Sequence, residues 1–322
     1  MRLLVNATSY GRIPGGAGLR ARNLYPAVAE RLGAELVYLL AEDGPDDLAP
    51  SSAEVRTLPV RQGAPLRRWL ELRLPDDGDL VFSDHYSVHP RLPTILTLHD
   101  RGGGWLRRRA IRREAKRAAA LVVVSETVRS AWGMDAVVVP NGVKLPEAME
   151  LQSGTHLLCC DPGLPHKGAP LARKVARELG LELREVGRGV RWLPHDEMLR
   201  ELAGAAVVLC PAREEGFGLV PLEALAVGTP VVASDLPAHR EVCGTAAFLV
   251  PTNDSRAWMA ATRCALAAPV DRREAGREWA RRFSWEAAAD RLAEVAEKLL
   301  RHQDVAEVDQ TGEHPDEEEV GQ

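Results

Sequence analysis

The sequence has no long apolar run and few cysteines. No stretch approaches the roughly 18 consecutive apolar residues of a membrane-spanning helix, and the opening "MRLLVNATS" is too short and too soon polar for a signal peptide. The five cysteines are odd in number, lie only between residues 159 and 264, and show no Cys/His spacing of a metal site. We therefore expect a cytoplasmic protein with reduced, structural thiols.

Positive charge is missing from the end of the chain. The formal net charge is −5, yet the segment from His302 onward contains eight acidic residues and no lysine or arginine. Without that segment the chain has slightly more basic than acidic residues. Because it is poor in apolar residues, we predict a disordered acidic tail over residues 303–322.

Short apolar runs alternate with helix-like stretches along the rest of the chain. The first half contains "LLVN", "ELVYLL", "DLVFSDH", "TILTLHD" and "ALVVVS", and the second contains "THLLCCDPG", "LELREVG", "AAVVLCPA", "TPVVASD" and "AAFLVP". This alternation predicts two α/β domains, each a doubly wound parallel sheet with crossover helices. The polar segment "KLPEAMELQSG" predicts the junction, so the domains span residues 1–146 and 155–283. A closing helix over 284–302 has Ser284 as its predicted N-cap.

The segment "REEGFGLVPLEALAVGTPVVAS", residues 213–234, is the strongest candidate for a ligand site. It follows an apolar run, and ligands of open α/β sheets bind outside the carboxyl ends of the strands. Gly216 and Gly218 let the backbone approach a ligand, and a helix that begins near Gly218, with Pro221 in its first turn, offers free amides to an anion.

The two carboxylates of this segment, Glu215 and Glu223, would repel a phosphate. They fit better as acceptors for hydroxyl groups, which a nucleotide sugar supplies at its ribose and its sugar ring. The alternative is a capped helix with a solvated glutamate in its first turn, where the helix dipole also favours acids. The loop by itself leaves both interpretations open.

The same segment resembles the E-x7-E signature of the retaining glycosyltransferases of the GT4 group, which have the two-domain GT-B fold. Five further segments are similar to family segments in the same order: "PGGAG" at 14–18, "TLHD" at 97–100, "VPNGV" at 139–143, "HKG" at 166–168 and the closing "FSWEAAA". The resemblance covers nearly all of the chain up to about residue 301. It implies a GT-B fold in which two Rossmann-like domains, an N-terminal acceptor-side domain and a C-terminal nucleotide-sugar donor domain, face a central cleft.

The resemblance also implies roles for single residues. His99 would lie beside the anomeric carbon, Lys167 would stabilise the diphosphate, and Glu215 would lie near the hydroxyls of the donor sugar. Glu223 would hold the ribose hydroxyls. The other implied substrate-binding positions are Gly15, Gly16, Asp100, Gly216, Phe217, Gly218, Leu219 and Val220. Without the family match, a structural histidine, a surface lysine and an ordinary glycine turn would explain His99, Lys167 and the 14–18 loop.

Two positions bear on charge and metal binding. The family commonly has an arginine six residues before the lysine, where this chain has Asp161, whose charge would repel a diphosphate. Arg188, Arg213 and His166 are candidates for the missing charge, and a weakened donor site is the alternative. The D-x-D within "DDGD" at 76–79 precedes an apolar run instead of following one, so we expect a turn there and no metal site.

A basic stretch over residues 101–117 is a candidate contact surface, and residues 65–73 add more basic side chains. Such stretches can lie on anionic lipid or bind an acidic acceptor, and the alternative is a solvated helix face. We expect no nucleic-acid partner, since neither stretch interleaves aromatic residues for base stacking. The expected location is the cytoplasm, with peripheral contact at the inner membrane face.

The sequence interpretation is thus a retaining, metal-independent glycosyltransferase. It would move a sugar from a nucleotide-diphosphate donor to a hydroxyl acceptor, lipid-linked or glycan, without a cofactor beyond the nucleotide-sugar co-substrate. A catalytically silent GT-B binding protein and a sugar-nucleotide epimerase of the same fold are the alternatives. The donor base, the sugar, the acceptor and the oligomeric state are left open.

Overall fold

The computed structural model describes residues 1–10, 15–45, 47–61, 74–84, 87–145, 150–152 and 154–311, with backbone only for 302–311. Its first sheet contains β1 (Arg2–Ala7), β2 (Glu35–Ala41), β3 (Glu54–Leu58), β4 (Leu80–Ser83), β5 (Thr94–Leu98), β6 (Ala120–Val123) and β7 (Val137–Val138). These seven strands lie in the order β3-β2-β1-β4-β5-β6-β7, and all neighbours are parallel. The order reverses beside β1, which is the switch point of a doubly wound sheet.

The second sheet contains β8 (Leu157–Cys160), β9 (Leu183–Val186), β10 (Val207–Cys210), β11 (Val231–Ser234) and β12 (Phe248–Val250). They lie in the order β12-β11-β10-β8-β9, and all pairs are parallel. The expectation of two doubly wound α/β units is confirmed. The second sheet has the flavodoxin-like strand order, in which the chain reverses direction between β8 and β10.

Ten helices connect or flank the strands in the described part of the chain. They are α1 (Gly16–Leu32), α2 (Trp105–Ala115), α3 (Glu126–Trp132), α4 (Ala169–Leu179), α5 (His195–Gly204), α6 (Leu219–Ala226), α7 (Pro237–Cys243), α8 (Ser255–Leu266), α9 (Val270–Ala280) and α10 (Trp285–Thr311). A single 3-10 turn covers Pro165–Lys167. Within the residues described, none of these helices is both long and apolar enough to cross a bilayer.

The last helix returns to the first half of the molecule. The Ser284 hydroxyl accepts a hydrogen bond from the amide of Ala287, 3.0 Å away, as expected of an N-cap. Leu292 of α10 is fully buried in the core built by β1, β2 and α1. Arg31 of α1 pairs with Asp290 of α10. The chain therefore crosses from the second sheet back to the first before it ends.

Helix α10 continues to Thr311, beyond the end at residue 302 that the sequence predicted. The physical reason is that no glycine or proline interrupts the chain before Gly312, so nothing in the backbone stops the helix earlier. The beginning of the predicted disordered tail is thus helical, and residues 312–322 lie outside the described residues.

The two halves pack directly against each other. One continuous cluster of buried apolar side chains contains Leu98 and Val123 from the first sheet and Leu222 and Val231 from the second half. The central strands of both sheets are buried along most of their length, as expected when helices cover both faces of a parallel sheet; they include β1, β4 and β5 in the first sheet and β8, β10 and β11 in the second. The carboxyl ends of the strands are the part of each sheet left for a site.

Candidate active site

The carboxyl ends of the central strands meet across a narrow cleft. His99 follows β5, and Gly216 lies in the loop after β10. A Cβ atom added at Gly216 would lie 2.0 Å from the carbonyl oxygen of His99. A Cβ atom added at Gly15, after β1, would lie 3.0 Å from Nη2 of Arg188, after β9. Gly216 is therefore needed for the close approach of the two halves, since it faces backbone, while Gly15 leaves room for the end of the Arg188 side chain.

The loop 213–218 leads into helix α6 as the sequence predicted. Gly218 has φ of +104°, a conformation that side chains disfavour, and the helix begins at the next residue. Leu219 and Val220 have no helical carbonyl to bond at this end, while Pro221 has no N–H to offer. The start of α6 thus presents two free amides and the positive end of the helix dipole.

Lys167 and Glu215 form an ion pair at this helix start. Lys167 Nζ lies 2.6 Å from Glu215 Oε2, and the two side chains are 20% and 18% exposed. Burial by itself lowers the pKa of Lys167, but the charge and hydrogen bond of Glu215 reverse the effect and raise that pKa. Burial likewise opposes ionisation of Glu215, yet Lys167 lowers the Glu215 pKa. Both groups are therefore charged at neutral pH.

Glu223 has a different protonation state. It lies in α6 and is only 5% exposed. Burial, together with the nearby charge of Asp161, raises the pKa of Glu223 to about 8. Nδ1 of His195 lies 3.7 Å from Glu223 Oε1. From the sequence we expect Glu223 to be an ionised carboxylate. In the free protein its carboxyl group is instead mostly protonated at neutral pH, because it lies in a poorly solvated position.

His99 is held by a buried carboxylate. Its Nε2 lies 3.1 Å from Oδ1 of Asp84, which follows β4. Asp84 Oδ2 accepts 2.6 Å hydrogen bonds from the hydroxyls of Tyr10 and Tyr25. Burial by itself raises the pKa of Asp84, but His99, the fully buried Arg20 and these hydroxyls hold it below its usual value. Asp84 is thus placed to orient His99.

Asp161 has a structural role that the sequence did not predict. It adopts φ of +54°, and its Oδ1 accepts a 2.8 Å hydrogen bond from the amide of Arg188. Its carboxylate therefore holds the loop Gly187–Gly189 that follows β9. The Arg188 side chain is exposed and reaches across the cleft to Gly15. Of the proposed substitutes for the missing charge, Arg188 is thus placed between the two halves.

Some of the other predicted positions border the cleft, and others stabilise the structure around it. The Phe217 ring is buried in an edge contact with Phe283, 6.1 Å between centroids, so only its backbone faces the cleft. The Asp100 carboxylate accepts a 2.6 Å hydrogen bond from Gly102 and lies 3.6 Å from Arg107, so it stabilises the turn before α2. A Cβ atom added at Gly16 would lie 2.7 Å from Leu219, another contact between the halves.

The D-x-D acids lie at the other end of the first sheet. Asp77 pairs with Arg2 and Arg56, and Asp79 accepts a hydrogen bond from the amide of Arg2, next to the beginning of β1. In the described ranges no three His, Cys, Asp or Glu side chains cluster as metal ligands.

Sequence reasoning missed His239. It lies on α7, directly after β11, is 1% exposed, and lines the same small pocket as Lys167, Glu215 and Asp161. Its position after the carboxyl end of a strand was a usable signal, because the neighbouring site residues occupy the same kind of position. Nothing in the local pattern distinguished it from a core histidine.

Comparison with known sequences agrees with this geometry. Residues 167–268 match the family model for glycosyl transferases group 1. Over 165 residues the chain is 35% identical to the D-inositol 3-phosphate glycosyltransferase of Geodermatophilus obscurus, covering 47% of this chain and 36% of that protein. Over 224 residues it is 32% identical to the phosphatidyl-myo-inositol mannosyltransferase of Mycobacterium leprae, covering 55% of this chain and 59% of the relative. The matches thus span about a third to three fifths of these curated relatives.

Solved structures resemble nearly the whole chain. Sucrose-phosphate synthase from Thermosynechococcus elongatus has a TM-score of 0.76 at 18% identity, over 94% of this chain and 100% of that one. HepE (Alr3699) of Anabaena, solved in complex with UDP and glucose, has a TM-score of 0.73 at 17% identity, over 92% of this chain and 99% of that one. At such identities the likeness concerns the fold. The chain therefore has the GT-B fold of two Rossmann-like domains, and its residues 167–268 are similar to the group 1 glycosyl transferases.

Proposed function

We propose that this protein is a retaining glycosyltransferase that moves a sugar from a nucleotide-diphosphate donor to a hydroxyl acceptor without a metal ion. The observation that carries the proposal is the Lys167–Glu215 pair at the start of α6, on the cleft wall opposite His99. A cation and free amides suit a diphosphate, and the adjacent carboxylate suits a hydroxyl-rich group. A nucleotide sugar contains both.

The proposed reaction breaks the bond between the anomeric carbon and the diphosphate oxygen. The acceptor oxygen forms its new bond on the same face, which retains configuration, and its proton passes to the departing diphosphate oxygen. Lys167 and the amides of Leu219 and Val220 stabilise the charge that develops on the diphosphate. His99, oriented by Asp84, lies where it can hold the sugar and the acceptor in position.

Arg188 supplies the second positive charge of the diphosphate site in this proposal. Asp161 occupies the position of the family arginine, but its carboxylate accepts from the amide of Arg188 and so fixes the loop that carries this side chain. The Arg188 guanidinium approaches Gly15 at the amino end of α1. A diphosphate between the two halves would then have Lys167 on one side and Arg188 on the other.

The acceptor is proposed only as a class. The two relatives described above are named for D-inositol 3-phosphate and phosphatidyl-myo-inositol as substrates. Phosphorylated and lipid-linked inositols are therefore the first acceptors to assay for this chain, followed by glycans.

The decisive experiment is a donor panel followed by a turnover assay. UDP-, GDP-, ADP- and dTDP-sugars are added in EDTA, and thermal unfolding is monitored; a ligand at about 100 times its dissociation constant adds about 2.7 kcal/mol to the free energy of unfolding. We expect the sugar nucleotides of one base to stabilise the protein. With an acceptor present, the protein should release the nucleoside diphosphate. The product should then show an anomeric NMR signal of unchanged configuration. Binding without turnover on any acceptor would favour the silent protein, and conversion of the sugar nucleotide without an acceptor would favour the epimerase.

A second proposed contact is with an anionic membrane, through the surface at the start of α2. Trp105 and Leu106 are 71% and 65% exposed, and Arg109 beside them is also exposed. Exposed aromatic and apolar side chains next to arginines suit a lipid headgroup boundary. Two other arginines of α2 have structural roles, since Arg108 and Arg112 donate to the last carbonyls of α3.

The membrane proposal is tested by sedimentation with phosphatidylglycerol vesicles. The double variant Trp105→Ser with Arg109→Glu should lose most binding, while Arg263→Glu, an exposed arginine on α8, should keep it. Equal binding by wild type and the double variant would leave α2 as a solvated helix face.

A further inference from the structure

His239 is a buried polar side chain in the proposed donor pocket, and one of its ring nitrogens lacks a hydrogen-bond partner among the described residues. The residue is 1% exposed and lines the pocket with Lys167 and Glu215. A Cβ atom added at Gly218 would lie 3.1 Å from its Cδ2, so the ring lies against the glycine turn that begins α6. Among the described residues, Nε2 of His239 has no hydrogen-bond partner.

The other ring nitrogen fixes the tautomer. Nδ1 lies 2.8 Å from the carbonyl oxygen of Ser234, and a carbonyl oxygen can only accept a hydrogen bond. The proton is therefore on Nδ1. Burial lowers the pKa of His239, and the opposing effects of the Ser234 hydrogen bond and the Glu215 charge do not reverse it. The ring is neutral at neutral pH, so Nε2 carries a lone pair.

A buried lone pair requires a donor. The diphosphate of a sugar nucleotide has no proton to give at neutral pH, and Lys167 donates to Glu215 and makes no hydrogen bond to Nε2 of His239 in the described residues. The hydroxyl-rich part of the donor is its sugar, and in the proposed reaction that sugar lies beside Glu215. A buried polar atom left unpaired is costly, so the site discriminates strongly between a ligand that satisfies it and one that does not.

We propose that Nε2 of His239 accepts a hydrogen bond from one hydroxyl of the donor sugar, and that His239 thereby helps to determine which sugar is transferred. The inference rests on the proposed function. His239 would be specific to the sugar moiety, whereas Lys167 and the α6 amides would bind the diphosphate whatever sugar it carries.

The test compares a nucleotide sugar with its nucleoside diphosphate. His239→Asn is the informative variant, because the Asn amide can still donate to the Ser234 carbonyl while Nε2 is lost; His239→Gln restores a polar group near the Nε2 position. The probes are the nucleotide sugar that stabilises the wild type, taken from UDP-, GDP-, ADP- and dTDP-glucose and -mannose, and the matching nucleoside diphosphate. Dissociation constants are measured by calorimetry.

We expect His239→Asn to weaken binding of the nucleotide sugar by about 10- to 100-fold, the range for leaving a buried polar partner unsatisfied, and to leave the nucleoside diphosphate nearly unchanged. His239→Gln should recover part of the loss. Among monodeoxy sugar nucleotides, one should bind wild type and His239→Asn alike, since the hydroxyl that meets Nε2 is then absent.

Two results would overturn the inference. An equal loss for the nucleotide sugar and the diphosphate would make His239 a support for the pocket as a whole, and no loss for either would remove it from the site. If no nucleotide sugar or nucleoside diphosphate bound the wild type, the proposed function itself would fail, which is a different outcome.

Discussion

At the scale of single residues, three carboxyl groups in and beside the cleft differ in protonation state: two are ionised at neutral pH and one is mostly protonated. Asp84 is ionised because His99, Arg20 and two tyrosine hydroxyls surround it. Glu215 is ionised because Lys167 is 2.6 Å away. Glu223 has no such partner and stays protonated up to about pH 8. Environment, and not residue type, decides which of them is a charge at neutral pH.

This difference predicts a pH dependence of donor binding. The folded, free protein has the pKa of Glu223 raised to about 8, and ribose hydroxyls that donate to it favour the ionised form. Affinity for the nucleotide sugar should therefore increase by up to about tenfold per pH unit as pH rises toward 8, and level off above it. Glu223→Gln should flatten this profile. A wild-type dissociation constant that does not change between pH 6 and pH 9 would remove Glu223 from the ribose site.

The Lys167–Glu215 pair makes a second prediction. Lys167→Ala and Glu215→Ala should each abolish most transfer, because each removes a group proposed to bind the donor. Each also leaves the remaining partner as a poorly solvated charge without its counter-ion. Each should also lower the free energy of unfolding, by roughly 1–3 kcal/mol, and the double variant should lose less than the sum of the two. Chemical denaturation measures these values. Strictly additive losses would show that the two side chains do not interact in solution.

At the scale of elements, the site is made by loops that follow parallel strands and by a few contacts that fix those loops. The loop after β9 is held by Asp161, whose left-handed backbone aims its carboxylate at the Arg188 amide. The loop after β10 is held by the ion pair and by a hydrogen bond from Ser125 to the carbonyl oxygen of Gly216, 2.6 Å long. Helix α7 carries His239, which lines the pocket with Lys167 and Glu215, and two residues later Glu241, which contacts the start of α3 in the first half.

The Asp161 loop makes a prediction that separates charge from geometry. Asp161→Asn keeps an oxygen acceptor for the Arg188 amide and tolerates the left-handed backbone, while it removes a negative charge from the diphosphate site. Donor affinity at pH 7 should increase about threefold to tenfold in this variant, because a like-charge repulsion is removed. Asp161→Ala, which loses the acceptor as well, should bind more weakly than Asp161→Asn. If Asp161→Asn binds the donor less tightly than wild type, the repulsion argument is wrong.

At the scale of the whole molecule, two halves with separate sheets are joined by direct polar contacts as well as by a shared core. Glu241 of the second half accepts hydrogen bonds at the start of α3 in the first half: from the amide of Glu126 at 2.7 Å and from the amide and hydroxyl of Thr127 at 3.1 Å. A carboxylate at a helix start is favourable for both hydrogen bonding and the helix dipole. The arrangement stabilises the closed cleft.

Removal of this contact should favour opening. Glu241→Ala should weaken the closed state by about 1–2 kcal/mol, within the range for hydrogen bonds to charged groups, and increase the radius of gyration in small-angle scattering. The KM for the acceptor should increase, since the acceptor side is then positioned less often against the donor side. Arg240→Ala is the matched control, because Arg240 pairs with Asp235 in the second half and has no described contact across the cleft. An unchanged radius with unchanged kinetics in Glu241→Ala would show that the contact is dispensable for closure.

Local patterns determined the buried strands and the helix starts. The five runs of the second half all became strands, and four of them are continuous apolar segments, as buried parallel strands are; β9 includes charged residues and is only partly buried. Helix α6 begins at Leu219 and Ser284 caps α10 because glycine, proline and serine act within one turn of themselves. The strands β3 and β7 were missed: "EVRTL" is half-exposed and alternates with charge, and β7 has only two residues.

The candidate site divides along the same line. The sequence by itself determined that Lys167, Glu215 and His99 follow strands, and in a parallel sheet that places them at one edge. Only the tertiary structure decided that Asp84 supports His99, that Asp161 holds the Arg188 loop, that Glu223 is protonated and that His239 has a free Nε2. Each of these depends on burial and on partners distant in the chain, and a local sequence pattern contains neither.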